Sequence, residues 1–214
     1  HVDGTDWGNF SFGSSVVDVM SDVLRAVGIE VVPCYVTSMD ALLYGTSRHL
    51  DQLRAVTPRW HRAGSEVTVL TWVGQNDALR CDARGARAME EPAVRCQLIK
   101  DLARLAGNAE CYADTVLRLA GRGRALHVKF VDHPLGLRHG VYGVGKRAIE
   151  HSFQSTGLTF VEDHLAVMEN PAVWVDDLHL RQVARTQIGK LLAAVVTGAP
   201  PPGDALERAP FGQL

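Results

Sequence analysis

The sequence predicts an α/β domain built on a three-layer, doubly wound parallel sheet. Short runs of valine, isoleucine and leucine have the length and composition of buried strands, and amphipathic patterns of helical period separate them. Such an alternation of strands and helices favours a parallel sheet covered on both faces. With 214 residues and 46% hydrophobic content, the chain is long enough for one sizeable core.

Four apolar runs are the predicted strands, at residues 29–36, 67–73, 126–131 and 158–161. The predicted helices fill the intervals, at residues 15–27, 47–56, within 92–120, around 142–155 and over 180–196. We assign residues 1–197 to one domain. Residues 198–214 are rich in proline and glycine and are expected to form a C-terminal tail.

Charge and cysteine content narrow the classes of function. The 22 basic and 24 acidic residues are spread along the chain, so we expect neither nucleic acid nor an anionic membrane surface as a partner. No apolar run approaches the roughly 20 residues that span a bilayer. Four cysteines, none at Cys-x-x-Cys spacing, argue against a zinc site or a thioredoxin-type motif: Cys34, Cys81, Cys96 and Cys111. The four cysteines are compatible with one or two disulfides, so the cysteine content does not determine the cellular compartment.

The first chemically informative segment is Gly74-Gln75-Asn76-Asp77, which follows the strand predicted over 67–73. Ligands of doubly wound sheets bind beyond the carboxyl ends of the strands, so an Asn76 amide there can donate a hydrogen bond into a cleft. Gly74 permits the sharp change of direction that such a position requires. A simple turn of these four residues is an equally good interpretation.

The second segment is the Asp176-x-x-His179 pair, which precedes the last predicted helix. A carboxylate at this spacing can orient the imidazole of a histidine that acts as general base toward a serine. A structural interpretation competes with this one. Aspartate is common at helix N-termini, and His179 then lies in the first turn of the helix.

The order and spacing of the two segments resemble the SGNH (GDSL-like) family of serine ester hydrolases, over nearly the whole chain. The resemblance implies a flavodoxin-like SGNH hydrolase fold and an acyl-serine mechanism that needs no cofactor and no metal. It implies that His179 is the general base and that Asp176 orients it. Asn76, the third residue of the segment that begins at Gly74, is then a donor to the oxyanion of the tetrahedral intermediate.

Two positions depart from the pattern of the family. The family usually has a glycine whose backbone N–H joins the oxyanion hole, and Ser38 takes that place here. A backbone N–H does not require glycine, so Ser38 is the second expected donor. The family also commonly has proline after the catalytic histidine, whereas this chain has Leu180. That difference removes no reacting group.

The nucleophilic serine of the family, which follows a strand in a Gly-Asp-Ser segment, is not found in this sequence. The opening residues match the continuation of such a segment, with Gly4 where the family often has glycine four residues after the serine. We therefore expect the serine immediately upstream of His1, on a central strand between those predicted at 29–36 and 67–73. Without that strand both neighbours would lose backbone hydrogen bonds, at roughly 1 to 3 kcal/mol for each unpaired buried group.

Ser14 and Ser15 are the alternative nucleophiles, because they follow a glycine just ahead of a predicted helix. We favour a structural role for them, in which they cap the helix and Asp18 completes a capping box. Residues 9–12, which precede them, are too few and too polar for a central strand of a buried parallel sheet.

The sequence is compatible with several interpretations of function. A carbohydrate O-acyltransferase or deacetylase would use the same residues, and in each case the substrate is a small-molecule or carbohydrate ester. A non-catalytic binding module would keep the fold without a nucleophile. His133 and His139 follow the strand predicted over 126–131 and are expected near the mouth of the cleft. We do not expect them to bind a metal, because no partner ligands stand at suitable spacing.

Overall fold

The structure is a computed structural model, and it describes residues 15–33, 41–44, 47–130, 143–175 and 180–200. It contains a parallel sheet of three strands. The strands are adjacent in chain order: β1 (Thr68–Thr71), β2 (Arg124–Val128) and β3 (Thr159–Val161). Thr71 of β1 is paired with His127 of β2, and Val128 of β2 with Val161 of β3. Three of the four predicted strands are therefore confirmed, and the chain is of the α/β class.

The α-helices in the described ranges are α1 (Val16–Ala26), α2 (Ala41–Tyr44), α3 (Ser47–Arg62), α4 (Gln75–Ala88), α5 (Pro92–Ala120), α6 (Val144–Ser155), α7 (Leu165–Met168) and α8 (Gln182–Thr197), and a short 3-10 helix spans Pro171–Val173. The five predicted helical regions are confirmed. The region within 92–120 is one continuous helix, and α3 continues past Pro58 to Arg62. The helices α2, α4 and α7 were not predicted.

The chain divides into two compact units, which we call the sheet unit (residues 34–162) and the helical unit (residues 1–33 and 163–214). The core of the sheet unit contains fully buried side chains from several elements, among them Leu42, Leu105, Val116, Ile149 and Phe153. In the helical unit, α1 packs closely on α8 at Gly189. A Cβ atom there would lie 2.7 Å from the Cβ of Val19, so the close approach depends on glycine.

The strand predicted over 29–36 is wrong for the part that the structure describes. Residues 29–33 have no regular secondary structure, and residues 34–36 lie outside the described ranges. The side chains of Ile29 and Val32 are 36% and 39% exposed, so the run is not a buried strand. An apolar run becomes a strand only where a neighbour completes its hydrogen bonds, and no described strand pairs with this one.

The pairing of β1 is relevant to the strand that is expected upstream of His1, because that strand would lie beside β1. Among the described strands, β1 pairs with β2 alone. The expectation of a strand beside β1 therefore stays a prediction.

Candidate functional site

The structure describes some of the predicted site residues and not others. Gly74 and Asn76 are described, in the sheet unit. Ser38, Asp176 and His179 lie outside the described residues, so the predicted base and its orienting carboxylate stay predictions. His133, His139 and Ser14 also lie outside them.

The described part of the site begins at the carboxyl end of β1. After Thr71 the chain runs through Trp72 and Val73 to Gly74, and α4 begins at the next residue. The segment predicted as a turn or a donor site is thus the start of a helix. This start lies at the carboxyl-end edge of the sheet, where doubly wound proteins bind their ligands.

Two independent features require glycine at position 74. Its φ of 98° lies in the left-handed region, which side chains with a Cβ adopt at a cost. A Cβ atom there would also lie 2.6 Å from Cδ1 of Leu42 and 3.2 Å from side-chain atoms of Ile149 and Phe130. Gly74 therefore lets the chain turn sharply while the core packs against its backbone.

Asn76 is the second residue of α4, and its side chain is half-buried. In the described part of the chain we find no hydrogen-bond partner for its amide. Gly74, at the N-cap, provides no side-chain cap for the helix. The first turn therefore combines a free amide donor with the positive end of the helix dipole, and both favour negative charge nearby. That is the electrostatic requirement of an oxyanion site.

The neighbouring carboxylate of Asp77 points into the protein instead. It is 1% exposed, and it accepts the backbone N–H of Leu43 at 2.8 Å and that of Leu42 at 3.3 Å. Asp77 therefore caps the start of α2, which is 34 to 35 residues earlier in the chain. Sequence reasoning missed this role, because an acidic residue in a first turn carries no sign of a distant partner.

A second buried carboxylate of α4 has a similar role. Asp82 accepts the backbone N–H groups of Gly143 and Gly145, at 3.2 Å and 3.1 Å, where α6 begins. Burial raises the pKa of its carboxyl above the ordinary value of 3.8, and these backbone bonds offset the effect only in part. The sequence gives no sign of this contact either, since it joins residues about 60 positions apart.

The histidine near the carboxyl end of β2 is a core residue. His127 of β2 is fully buried, and its Nδ1 lies 3.0 Å from the hydroxyl of Thr71, which itself donates to the carbonyl of Leu126. Its ring makes edge contacts with Phe130 and Phe153, with centroids 5.3 Å and 4.5 Å away. Sequence reasoning passed over His127, and its burial argues against contact with a substrate.

Ser15 has the structural role that the sequence favoured. Its hydroxyl accepts the backbone N–H of Asp18 at 3.1 Å and donates to the Asp18 carboxylate at 2.9 Å. The backbone N–H of Ser15 donates to the same carboxylate, which completes a capping box at the start of α1. A hydroxyl held in this way, on a side chain that is 7% exposed, is poorly placed to attack an ester.

The described cysteines are free thiols in two kinds of environment. Burial, with a smaller contribution from Asp101 and Asp82, raises the pKa of the Cys81 thiol to about 12, so it stays protonated and unreactive near neutral pH. Cys96 and Cys111 are exposed and unpaired thiols on α5. No group of three potential metal ligands occurs among the residues described.

Within the described ranges, no helix has the length and apolar character that crossing a membrane requires. No family model, no curated protein and no solved structure matches the chain.

Proposed function

We propose that this chain belongs to an ester hydrolase of the SGNH type, which works through an acyl-serine intermediate. In the proposal His179 is the general base, Asp176 orients it, and the Asn76 amide and the Ser38 backbone N–H stabilise the oxyanion. The nucleophilic serine comes from the residues immediately upstream of His1. The proposal includes the complete fold, a three-layer, doubly wound sheet in which the strand expected upstream of His1 lies beside β1.

One observation carries the proposal: the environment of Asn76. Its amide is half-exposed and free of partners in the described ranges, at a helix start beyond the carboxyl end of β1. Gly74, two residues before it, and Asp77, directly after it, are buried and held by α2 and the core. A rigid support under one unpaired donor suits an oxyanion site, because the donor need not reorganise during the reaction.

The topology of the sheet unit adds support. The three strands are parallel and follow one another in chain order, with helices between them. That order is the one expected for the second half of a doubly wound sheet, beyond the strand that presents the nucleophile.

The test is the substitution Asn76→Ala in the protein that carries the upstream residues, with hydrolysis of a chromogenic acetyl ester as the assay. We expect kcat to fall by about 10²-fold or more, with KM and stability little changed, because the amide acts in the transition state. Gln75→Ala is the matched control, since it removes an amide from the same turn, and kcat should not change. An unaltered kcat for Asn76→Ala would refute the oxyanion role.

The upstream residue decides between a hydrolase and a binding module. A serine after Gly-Asp should react with a fluorophosphonate probe, and His179→Ala should abolish the labelling because the serine then lacks its base. Another residue in that place would overturn the enzyme assignment.

A further inference from the structure

The residue after Asn76 connects its turn to another helix. Asp77 binds the backbone N–H groups of Leu42 and Leu43 with its two carboxylate oxygens, Oδ2 and Oδ1. An aspartate in a first turn commonly satisfies N–H groups of its own helix. Here the carboxylate joins the start of α4 to the start of α2 instead, and this bond is buried.

Two more contacts hold the same point of α2. Asn108 of α5 donates its side-chain N–H to the carbonyl of Leu42 at 2.5 Å. The Leu42 side chain is fully buried and occupies the space beside Gly74 that a Cβ atom would fill. The backbone of Leu42 is therefore bound at its N–H and its carbonyl, and its side chain lies against the turn that precedes Asn76.

We propose that Asp77 is a positioning residue for the oxyanion site: by binding α2, it keeps the first turn of α4, and so the Asn76 amide, in place. This inference rests on the proposed function and goes beyond it by assigning a role to Asp77, the acidic residue of the Gly74-Gln75-Asn76-Asp77 segment. Asn76 and Asp77 are consecutive in a helix, so their side chains point about 100° apart. The Asn76 side chain is half-buried, whereas the Asp77 carboxylate is anchored in the interior.

The effect on the reaction follows from geometry. A donor that moves by about 1 Å from the oxyanion can lose as much as two orders of magnitude in rate. The first turn of α4 has no side-chain cap of its own, so Asp77 is a principal polar anchor of that turn. Loss of the anchor should therefore lower kcat more than KM.

Asp77→Asn in the protein with its upstream residues tests the proposal. Asparagine keeps the shape but sets its amide NH2 against one of the two backbone N–H groups. We expect kcat to fall roughly tenfold with KM little changed. Asp82→Asn is the matched control: it alters a buried carboxylate of the same helix that binds the start of α6, and it should leave kcat unchanged.

A double substitution separates positioning from a general loss of structure. If Asp77 acts through the Asn76 amide, Asp77→Asn should lower kcat far less when Asn76 is already alanine. Should Asp77→Asn fail to fold, Asn108→Ala weakens the same attachment from α5, and kcat should fall by a smaller factor in the same direction.

The outcomes distinguish the two proposals. No hydrolysis by the unsubstituted protein overturns both of them. Hydrolysis with a kcat for Asp77→Asn equal to that of Asp82→Asn overturns the positioning role alone, as does full additivity with Asn76→Ala. If only Asn108→Ala folds, an unchanged kcat for that variant overturns it as well.

Discussion

Gly74 shows how much one residue determines at the site. Its left-handed backbone turns the chain from β1 into α4, and its missing side chain admits Leu42, Ile149 and Phe130. A glycine was singled out in the sequence because of the turn. The packing against it is a tertiary feature, since Leu42 lies more than 30 positions away in the chain.

Gly74→Ala should lower the free energy of unfolding by about 2 to 4 kcal/mol, measured by urea denaturation. Roughly half of this comes from the positive φ and the rest from the Cβ atom forced against the core. Gly64→Ala is the control: its φ is also positive, at 74°, but nothing lies within 4 Å of the added Cβ. It should cost only about 1 kcal/mol. Equal losses in the two variants would show that the contact with Leu42 is not tight.

The helices show where sequence patterns succeed and where they fail. The amphipathic helices with large apolar residues, such as α1 and α8, were predicted near their observed bounds. The helix α4 was missed because its buried face is made of small residues, Ala78, Cys81 and Ala88, between charged ones. Small residues give little hydrophobic periodicity, yet they allow close packing between helices.

The close packing of α4 on α6 predicts that replacing a helical glycine by alanine lowers stability at this contact and raises it where the glycine has no close neighbour. A Cβ at Gly145 of α6 would lie 2.7 Å from the carbonyl oxygen of Ala78 and 2.9 Å from Cβ of Cys81. We expect Gly145→Ala to destabilise the protein by about 1 to 3 kcal/mol, because the helices must move apart. Thermal or urea unfolding would measure it.

Gly107→Ala is the matched comparison, because it is also a helical glycine but nothing lies within 4 Å of an added Cβ. The higher helix propensity of alanine should raise the free energy of unfolding by about 0.5 to 1 kcal/mol. If both variants were stabilised, the interface between α4 and α6 would be looser than described.

At the scale of the whole molecule, the buried Asp82 should affect stability as a function of pH. Burial raises the pKa of its carboxyl above 3.8, so the folded chain binds a proton at pH values where the unfolded chain does not. The contribution of this group to the free energy of unfolding therefore decreases as pH rises from the unfolded pKa to the folded one. Below the unfolded pKa, this group no longer changes the free energy of unfolding as pH varies.

The measurement compares the unsubstituted chain with Asp82→Asn by urea unfolding between about pH 7 and about pH 4. The stability of the unsubstituted chain relative to Asp82→Asn should increase as pH falls through the window. The loss of hydrogen bonds in the variant is a constant offset and does not affect this trend. A relative stability that decreases toward acid pH would mean that the backbone N–H groups of Gly143 and Gly145 outweigh burial.

The sequence by itself determined the α/β class, three parallel strands, the main helices and the capping box of Ser15 and Asp18. The helices and the capping box depend on neighbours within a few positions, and the strands are recognisable from short apolar runs, so local patterns of polarity and capping residues suffice to predict them. The failed prediction at 29–33 marks the limit of that approach, because a strand also needs a partner that lies elsewhere in the chain.

Only the tertiary structure decided what the polar residues of α4 do. Asp77 binds Leu42 and Leu43, and Asp82 binds the start of α6, in contacts that join residues 34 to 63 positions apart. Whether a carboxylate caps its own helix, binds a distant one or faces solvent depends on which backbone groups the folded chain brings within hydrogen-bond distance and shields from water. No periodicity in the sequence encodes that choice. The same folding leaves Asn76 with its amide unoccupied by any described residue, beside a neighbour that is anchored.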